Sequence, residues 1–420
     1  PELMAKQWPR NTTVVVCRQA ISVLISNINS TSIVFSIPID PITLAGCVVL
    51  LLFALVGCFC NPFARASKVR ELVTPFQSDD AEDCPPLSIV IPILGDAPRL
   101  DDLLDRLLSQ DYPADIRIIL VADKDNARVE ELVDGRGRDS RIYRTFIPTS
   151  SRYMSRKKLA VTIGIKAVQT EWLIVLEPTC RPLSHLWLRA LSTRLTGDVE
   201  VAMCYARFSP EAPRGYRLEQ LIRSNYLMAG LFRGRVYRSL GPCMALRKSR
   251  FMEADGFSGS LHLLYGEYDF LANKYSVFGS AALVVQPEAW LEIDAPSSKD
   301  WRNAHLSFWA LRRELKHGRW FRLRHNADHI LLRFNLLSSA IALALSLYTE
   351  QWILTGAASL ALLVMLLAPI VSARKTLRTF DEDLSAWHIL PFALTDCLRQ
   401  FISYLRYLRA DKLDFTSHRL

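Results

Sequence analysis

Apolar residues are distributed along this chain in two rhythms. Three runs are long and unbroken, while the stretch between the first and second alternates short apolar runs with amphipathic ones. The first long run, Pro41 to Cys60 (PITLAGCVVLLLFALVGCFC), carries no charge and is about as long as a helix must be to cross a bilayer. It lies too far from the N-terminus, without a small-residue cleavage site and preceding basic residues, for an ordinary signal peptide. The other two run from about Ile330 to Tyr348 and from Trp352 to Val371. Arg333 sits near the edge of the second run, where its long stem lets the charge snorkel.

Basic flanks orient these runs. Arg65, Lys68 and Arg70 follow the first; Arg312, Arg313, Lys316, Arg319, Arg322 and Arg324 precede the second; Arg374, Lys375 and Arg378 follow the third. The short YTEQ between the second and third has neither Lys nor Arg. The positive-inside rule then puts every basic flank on the cytoplasmic side, makes the last two spans a hairpin and leaves residues 61–328 in the cytosol. Beyond the hairpin, LSAWHILPFALTDCLRQFISYLRYLRADK from Leu384 spaces leucines and aromatics helically around Arg399, Arg406 and Arg409, with an interruption expected at Pro391. Such a helix suits the membrane interface, or packs on the protein's own soluble domain. In the first forty residues, TVVVCRQAISVLISNI is of helical type.

The central region alternates strands and helices. PPLSIVIPIL (Pro85–Leu94), IRIILVAD (Ile116–Asp123) and EWLIVLE (Glu171–Glu177) are apolar runs of buried-strand type. Between and after them, RLDDLLDRLLSQDYP (Arg99–Pro113), LAVTIGIKAVQ (Leu159–Gln169) and SHLWLRALSTRL (Ser184–Leu195) show helical spacing. This alternation predicts an α/β fold, a doubly wound, mostly parallel sheet with helices on both faces. Ligands on such sheets bind beyond the carboxyl ends of the strands, where Asp123 and Glu177 fall.

Composition adjusts this picture only slightly. Half the residues are hydrophobic and the mean hydropathy is +0.13, as expected where membrane helices join a soluble domain. The net charge of +9 gathers beside the apolar runs, where basic residues meet anionic headgroups, so no nucleic-acid partner is implied. Nine scattered cysteines without a Cys-x-x-Cys pair read as small buried hydrophobes, not disulfides or zinc ligands.

In order, LSIVIPI, LLSQDYP, IILVAD, KKLAVTIGIKAV, EWLIVLEPTCRPLSHLWL, ALRKSRFMEADGF, GEYDFLANK and KDWRNAHLSFW resemble the membrane-anchored family 2 glycosyltransferases of GT-A (nucleotide-diphospho-sugar transferase) fold, over about residues 85–325. The resemblance implies a role for each motif. An acid after the second strand accepts hydrogen bonds from the nucleobase, a position held by Asp123 with Asp125 nearby. Two acids after the third strand would hold Mg or Mn against the diphosphate of a UDP- or GDP-type sugar donor. Here Glu177 is followed by Pro178 and Thr179, so one ligand is a neutral hydroxyl and metal affinity falls; Glu177 equally reads as the solvent end of a strand. The general base belongs to an acid pair after a glycine; this chain has Tyr268 between Glu267 and Asp269, leaving those two carboxylates as candidates. A Gln-x-x-Arg motif that closes over diphosphate and acceptor is replaced by Ala304 and Ser307, with Trp301, Arg302 and His305 as substitutes, or with Trp301, Leu306 and Trp309 as core. In SRKK (Ser155–Lys158), Lys157 and Lys158 meet a phosphate or solvate a helix start.

Two functions of different class follow. One is an inverting transferase that moves a sugar from a nucleotide donor to a lipid-linked or glycan acceptor at the inner face of a bacterial cytoplasmic membrane. The other is an inactive relative, a membrane scaffold or regulatory partner for an active glycosyltransferase. The expected layout is an N-terminal segment (1–40), a first span (41–60), a linker (61–84), the GT-A-like domain (85–328), a hairpin of spans (329–372) and an interfacial tail (373–420).

Overall fold

The computed structural model describes residues 40–77, 84–136, 139–148, 155–276, 280–316 and 318–411. The helix expected near the N-terminus lies outside these residues. In chain order the elements are α1 (Pro41–Phe59), β1 (Leu87–Pro92), α2 (Leu100–Leu108), β2 (Ile116–Asp123), α3 (Ala127–Gly135), β3 (Ile142–Ile147), α4 (Arg156–Ala167), β4 (Trp172–Leu176), β5 (Cys180–Pro182), α5 (Trp187–Ser192), β6 (Val201–Cys204), β7 (Ala206–Phe208), α6 (Arg214–Leu231) and β8 (Cys243–Arg247). There follow α7 (Glu267–Tyr275), β9 (Ala281–Val284), β10 (Leu291–Ile293), α8 (Ser298–Leu311), α9 (Arg319–Tyr348), α10 (Trp352–Thr379) and α11 (Ile389–Arg409).

Seven strands form the main sheet in the order β3-β2-β1-β4-β8-β6-β9. β3, β2, β1 and β4 run parallel, β8 is antiparallel to both its neighbours, and β9 is parallel to β6. The alternation of side chains sorts the sheet into two apolar layers. Val90, Val121 and Val175 face α4 and the segments toward the long helices, whereas Ile89, Ile91, Leu120 and Ile174 face α2 and α5. Burial on both faces explains why β1 and β4 are continuous apolar runs. α4 lies close on the sheet because Gly164 has no side chain: a Cβ there would stand 2.3 Å from Val90 Cγ1. A second sheet, β5-β10-β7, flanks the first. Successive connections run outward from β1 to β2 and β3, then return to β4 on its other side. The chain therefore leaves a crevice at the carboxyl ends of β1 and β4.

Three helices, α1, α9 and α10, are long and apolar enough to cross a membrane. α9 begins at Arg319, a decade of residues before the apolar stretch, because its first turns are an amphipathic extension. Ala54, Ala361 and Met365 form the buried seam of the bundle, and the Asn335 amide donates to the Phe53 carbonyl across it. Leu52, Leu55, Leu337 and Leu363 remain exposed on its outside. The bundle is tied to the α/β domain: Arg70 donates to Thr376 Oγ1 at 2.9 Å, and Arg217 on α6 reaches Glu382, just past α10, at 2.6 Å in a buried ion pair.

Pro391 does not interrupt the last helix. It occupies the first turn of α11, where a missing N–H costs no helical hydrogen bond. One face of α11 packs on α8, with Trp309 Nε1 donating to Ser403 Oγ at 3.2 Å, while Leu394, Leu398, Phe401 and Leu408 are left exposed. Cys47, Cys60, Cys180, Cys204 and Cys243 are buried and outside any disulfide.

Candidate functional site

The crevice is built where four segments meet: the ends of β2 and β4, the N-terminus of α4, and the N-terminus of α7. Asp123 ends β2 and pairs with Arg156 in the first turn of α4, both largely exposed. Asp125 follows in the exposed turn, and Asn126 caps α3 by accepting from Val129 N. Glu177 lies one residue past β4, its backbone N–H held by the Pro242 carbonyl at 3.0 Å. Thr179, two residues on, is exposed.

Lys157 fills the middle of this arrangement. Ser155 caps α4 by accepting from Lys158 N at 3.3 Å, which sets the first turn so that Lys157 Nζ stands 2.5 Å from Glu177 Oε1. Burial would pull the Lys157 ammonium down, but the Glu177 and Glu267 carboxylates carry it above its ordinary value. Tyr268 is buried beside it, the ammonium 5.5 Å from the ring centroid. Burial foremost, and Glu177 next, push the Tyr268 phenol well above its usual range, so it is no base at neutral pH.

The two carboxylates that bracket Tyr268 differ. Glu267 is buried, 3.5 Å from Ser155 Oγ; burial raises its carboxyl, with Lys157 opposing. Asp269 is bound up on the other side of α7, accepting from Ser239 N at 3.1 Å and pairing with Arg238 at 3.2 Å. Gly266 caps α7 in the left-handed region, with φ 87°, and brings Glu267 and Tyr268 to the crevice.

The remaining candidates lie apart. Lys158 points into the core, not the crevice: its ammonium donates to the Ser260 and Leu263 carbonyls at 2.5 Å each, and burial pushes it down to about 8. On α8, Trp301 stacks on Tyr216 at 4.2 Å between ring centroids, and Arg302 is exposed, donating to the Ser298 carbonyl within its own helix. His305 hydrogen-bonds the Trp301 carbonyl through Nδ1 at 2.9 Å and the Glu219 carboxylate through Nε2 at 2.5 Å. Both partners are acceptors, so the contacts favour the imidazolium form and raise the ring above its ordinary value against the effect of burial. The structure thus joins Glu177 and Glu267 around Lys157, and leaves Asp269, Lys158, Trp301, Arg302 and His305 engaged elsewhere. Sequence reading weighed Lys157 as a phosphate contact or as solvation of a helix start; its meeting with Glu177 depends on the register of the α4 cap.

A divalent metal does not suit these residues. Of the expected pair of oxygen ligands, Glu177 is already neutralised by an ammonium, and Thr179 brings a neutral hydroxyl at the surface. Among the described residues no group of three or more His, Cys, Asp or Glu side chains could hold a metal ion. Hard cations want several carboxylate oxygens, and one occupied carboxylate does not provide them.

Residues 88–254 match the family described as Glycosyl transferase family 2. Over this segment the chain is similar to that family, and the fold is GT-A, with three candidate membrane-spanning helices attached. No curated protein matches the chain. Similar solved structures include the mannosyltransferase PcManGT from Pyrobaculum calidifontis, in complex with GDP-Man and Mn2+. It is 14% identical, with a TM-score of 0.47, over 79% of this chain and 98% of that one. TarS residues 1–349 from S. aureus is 13% identical, with a TM-score of 0.38, over 70% of this chain and 89% of that one.

Proposed function

We propose that this chain is a membrane-anchored pseudo-glycosyltransferase. In this reading it spans a bacterial inner membrane three times, holds its family 2 domain in the cytosol, and serves as scaffold or regulatory partner of an active transferase. The observation that carries the reading is the 2.5 Å contact between Lys157 and Glu177. An ammonium sits where the family's metal acid would be free, and the acid pair after Gly266 is split by a buried phenol with Asp269 tied to Arg238. The basic flanks of α1, α9 and α10 support the orientation.

One observation favours a second reading. The Lys157 side chain is 32% exposed, so a diphosphate could reach it. Transfer without a metal would then have Glu267 take the acceptor hydroxyl's proton as that oxygen attacks the sugar carbon, while the nucleoside diphosphate departs with the bond electrons against Lys157. The raised pKa of Glu267 suits a base nearer neutral pH.

Incubation of the full chain in detergent with UDP- and GDP-sugars separates the readings. The pseudoenzyme releases no nucleotide with or without Mn2+. Wild-type turnover overturns that reading, and turnover that survives EDTA establishes the second. In the Lys157→Ala, Thr179→Asp, Tyr268→Asp variant, Mn2+ binding should appear.

A further inference from the structure

A cavity of about 410 Å³ lies between the α/β domain and the helical bundle, away from the Lys157 crevice. Its two ends differ in chemistry. Toward the bundle it is lined by Leu336, Leu337, Ala340, Met365 and Ile370, on helices long and apolar enough to cross a membrane. Toward the domain it is lined by Arg223, Arg238, Arg312 and Arg322.

The charges at the domain end do not cancel. Each carboxylate on the wall already has a cation: Glu219 holds His305 at 2.5 Å, Asp396 holds Arg333 at 2.7 Å, and Asp328 holds Arg65. Arg238 is matched by Asp269. Arg223, Arg312 and Arg322 have only neutral acceptors: Arg223 donates to Gln220 Oε1 at 2.8 Å, Arg312 to the Asn326 amide oxygen, and Arg322 to the Arg312 carbonyl. Arg223 is exposed, lines the cavity, and has Glu219, Asp269 and Arg238 acting on it from around. Burial foremost pushes both Arg223 and Arg312 below the ordinary guanidinium value, and at Arg223 the Asp269 and Glu219 carboxylates oppose this only in part. Phe308 lies between Arg238 and Arg312, at 4.4 and 5.9 Å from its ring centroid, and holds the cluster together.

We infer that this cavity binds a phosphate-bearing lipid, its anionic head among Arg223, Arg312 and Arg322 and its acyl or prenyl chain along the Leu336, Ala340 and Met365 wall. Planar guanidinium groups donate pairs of hydrogen bonds to phosphate oxygens, and the volume lies in the range of ligand pockets. The apolar end excludes a free inorganic anion as the best fit, since it would leave that wall bare. The inference is independent of whether Lys157 or Glu267 does chemistry, and rests on the membrane assignment of α1, α9 and α10.

The test uses the full chain in a neutral detergent, with melting followed against three probes: dioctanoyl phosphatidic acid, dioctanoylglycerol and inorganic phosphate. Phosphatidic acid should raise Tm saturably, and the other two should not. The Arg223→Gln, Arg322→Gln variant should bind phosphatidic acid about a hundredfold more weakly, the loss of two charge-assisted contacts worth about tenfold each. An equal shift from dioctanoylglycerol, an equal shift from inorganic phosphate, or no shift from phosphatidic acid overturns the inference in the wild-type protein, whatever the variant does. Recovery of the chain in the soluble fraction of detergent-free lysate would instead overturn the membrane assignment beneath it.

Discussion

Lys157 joins two carboxylates that otherwise repel each other in a poorly solvated crevice. Replacing it with alanine leaves Glu267, buried and already raised, without its main opposing charge. A buried carboxyl with a raised folded pKa loses stability as pH climbs from its unfolded value, about 4.5, through the folded one. Lys157→Ala should therefore cost about 1–3 kcal/mol near pH 7.5 and progressively less toward pH 4.5, where the carboxyls protonate. Urea melts at the two pH values check this, and an equal cost at both would refute it. His305 has the opposite sign. Burial works against its charge, but the Glu219 and Trp301 contacts raise it above the ordinary 6.5. Its contribution is complete below pH 6.5 and is lost as pH rises through the folded value. His305→Asn should flatten that part of the stability profile; an unchanged slope would show the imidazolium assignment to be wrong.

At the scale of elements, the closest contacts are made by glycines. Gly164→Ala would press a methyl into Val90 and Val121, and Gly266→Ala would combine a left-handed φ with a clash against Leu311. Each should cost about 1–3 kcal/mol, measurable as a drop in the denaturant midpoint without a change in slope. These elements also show what could be read in advance. β1, β2 and β4 are legible because burial on both faces makes them unbroken apolar runs. β3, IYRTFI, has no such signature because it is an edge strand with half-exposed side chains. The three-residue strands β5, β7 and β10 are too short to carry a period of their own. In the site, the type and order of residues were legible. The partners were not, because Lys157 and Lys158 are adjacent in sequence and only the helix cap decides which one faces Glu177.

For the whole molecule, the decisive feature is the coupling of the bundle to the domain. The Arg217–Glu382 pair is buried on both sides, and burial raises the Glu382 carboxyl while Arg217 opposes. Breaking it from one side leaves an uncompensated buried charge, so Glu382→Gln should cost about 3–5 kcal/mol. Thermal melts in detergent would read this as a large fall in Tm; a change within error would mean the two parts are held together elsewhere. The three long helices were evident from uninterrupted apolarity, whereas this tie joins residues 165 positions apart and has no signature in either local segment. The cavity whose arginines point to a lipid phosphate also lies where bundle and domain meet.

The central claim is that Lys157 takes the place of a divalent metal in a family 2 fold. Its most direct test is a calorimetric titration of the full chain with UDP and GDP, in the presence and absence of Mn2+. The account predicts no metal dependence, with any affinity the same within about twofold. Binding tightened about tenfold or more by Mn2+, a gain of roughly 1.4 kcal/mol, would contradict it.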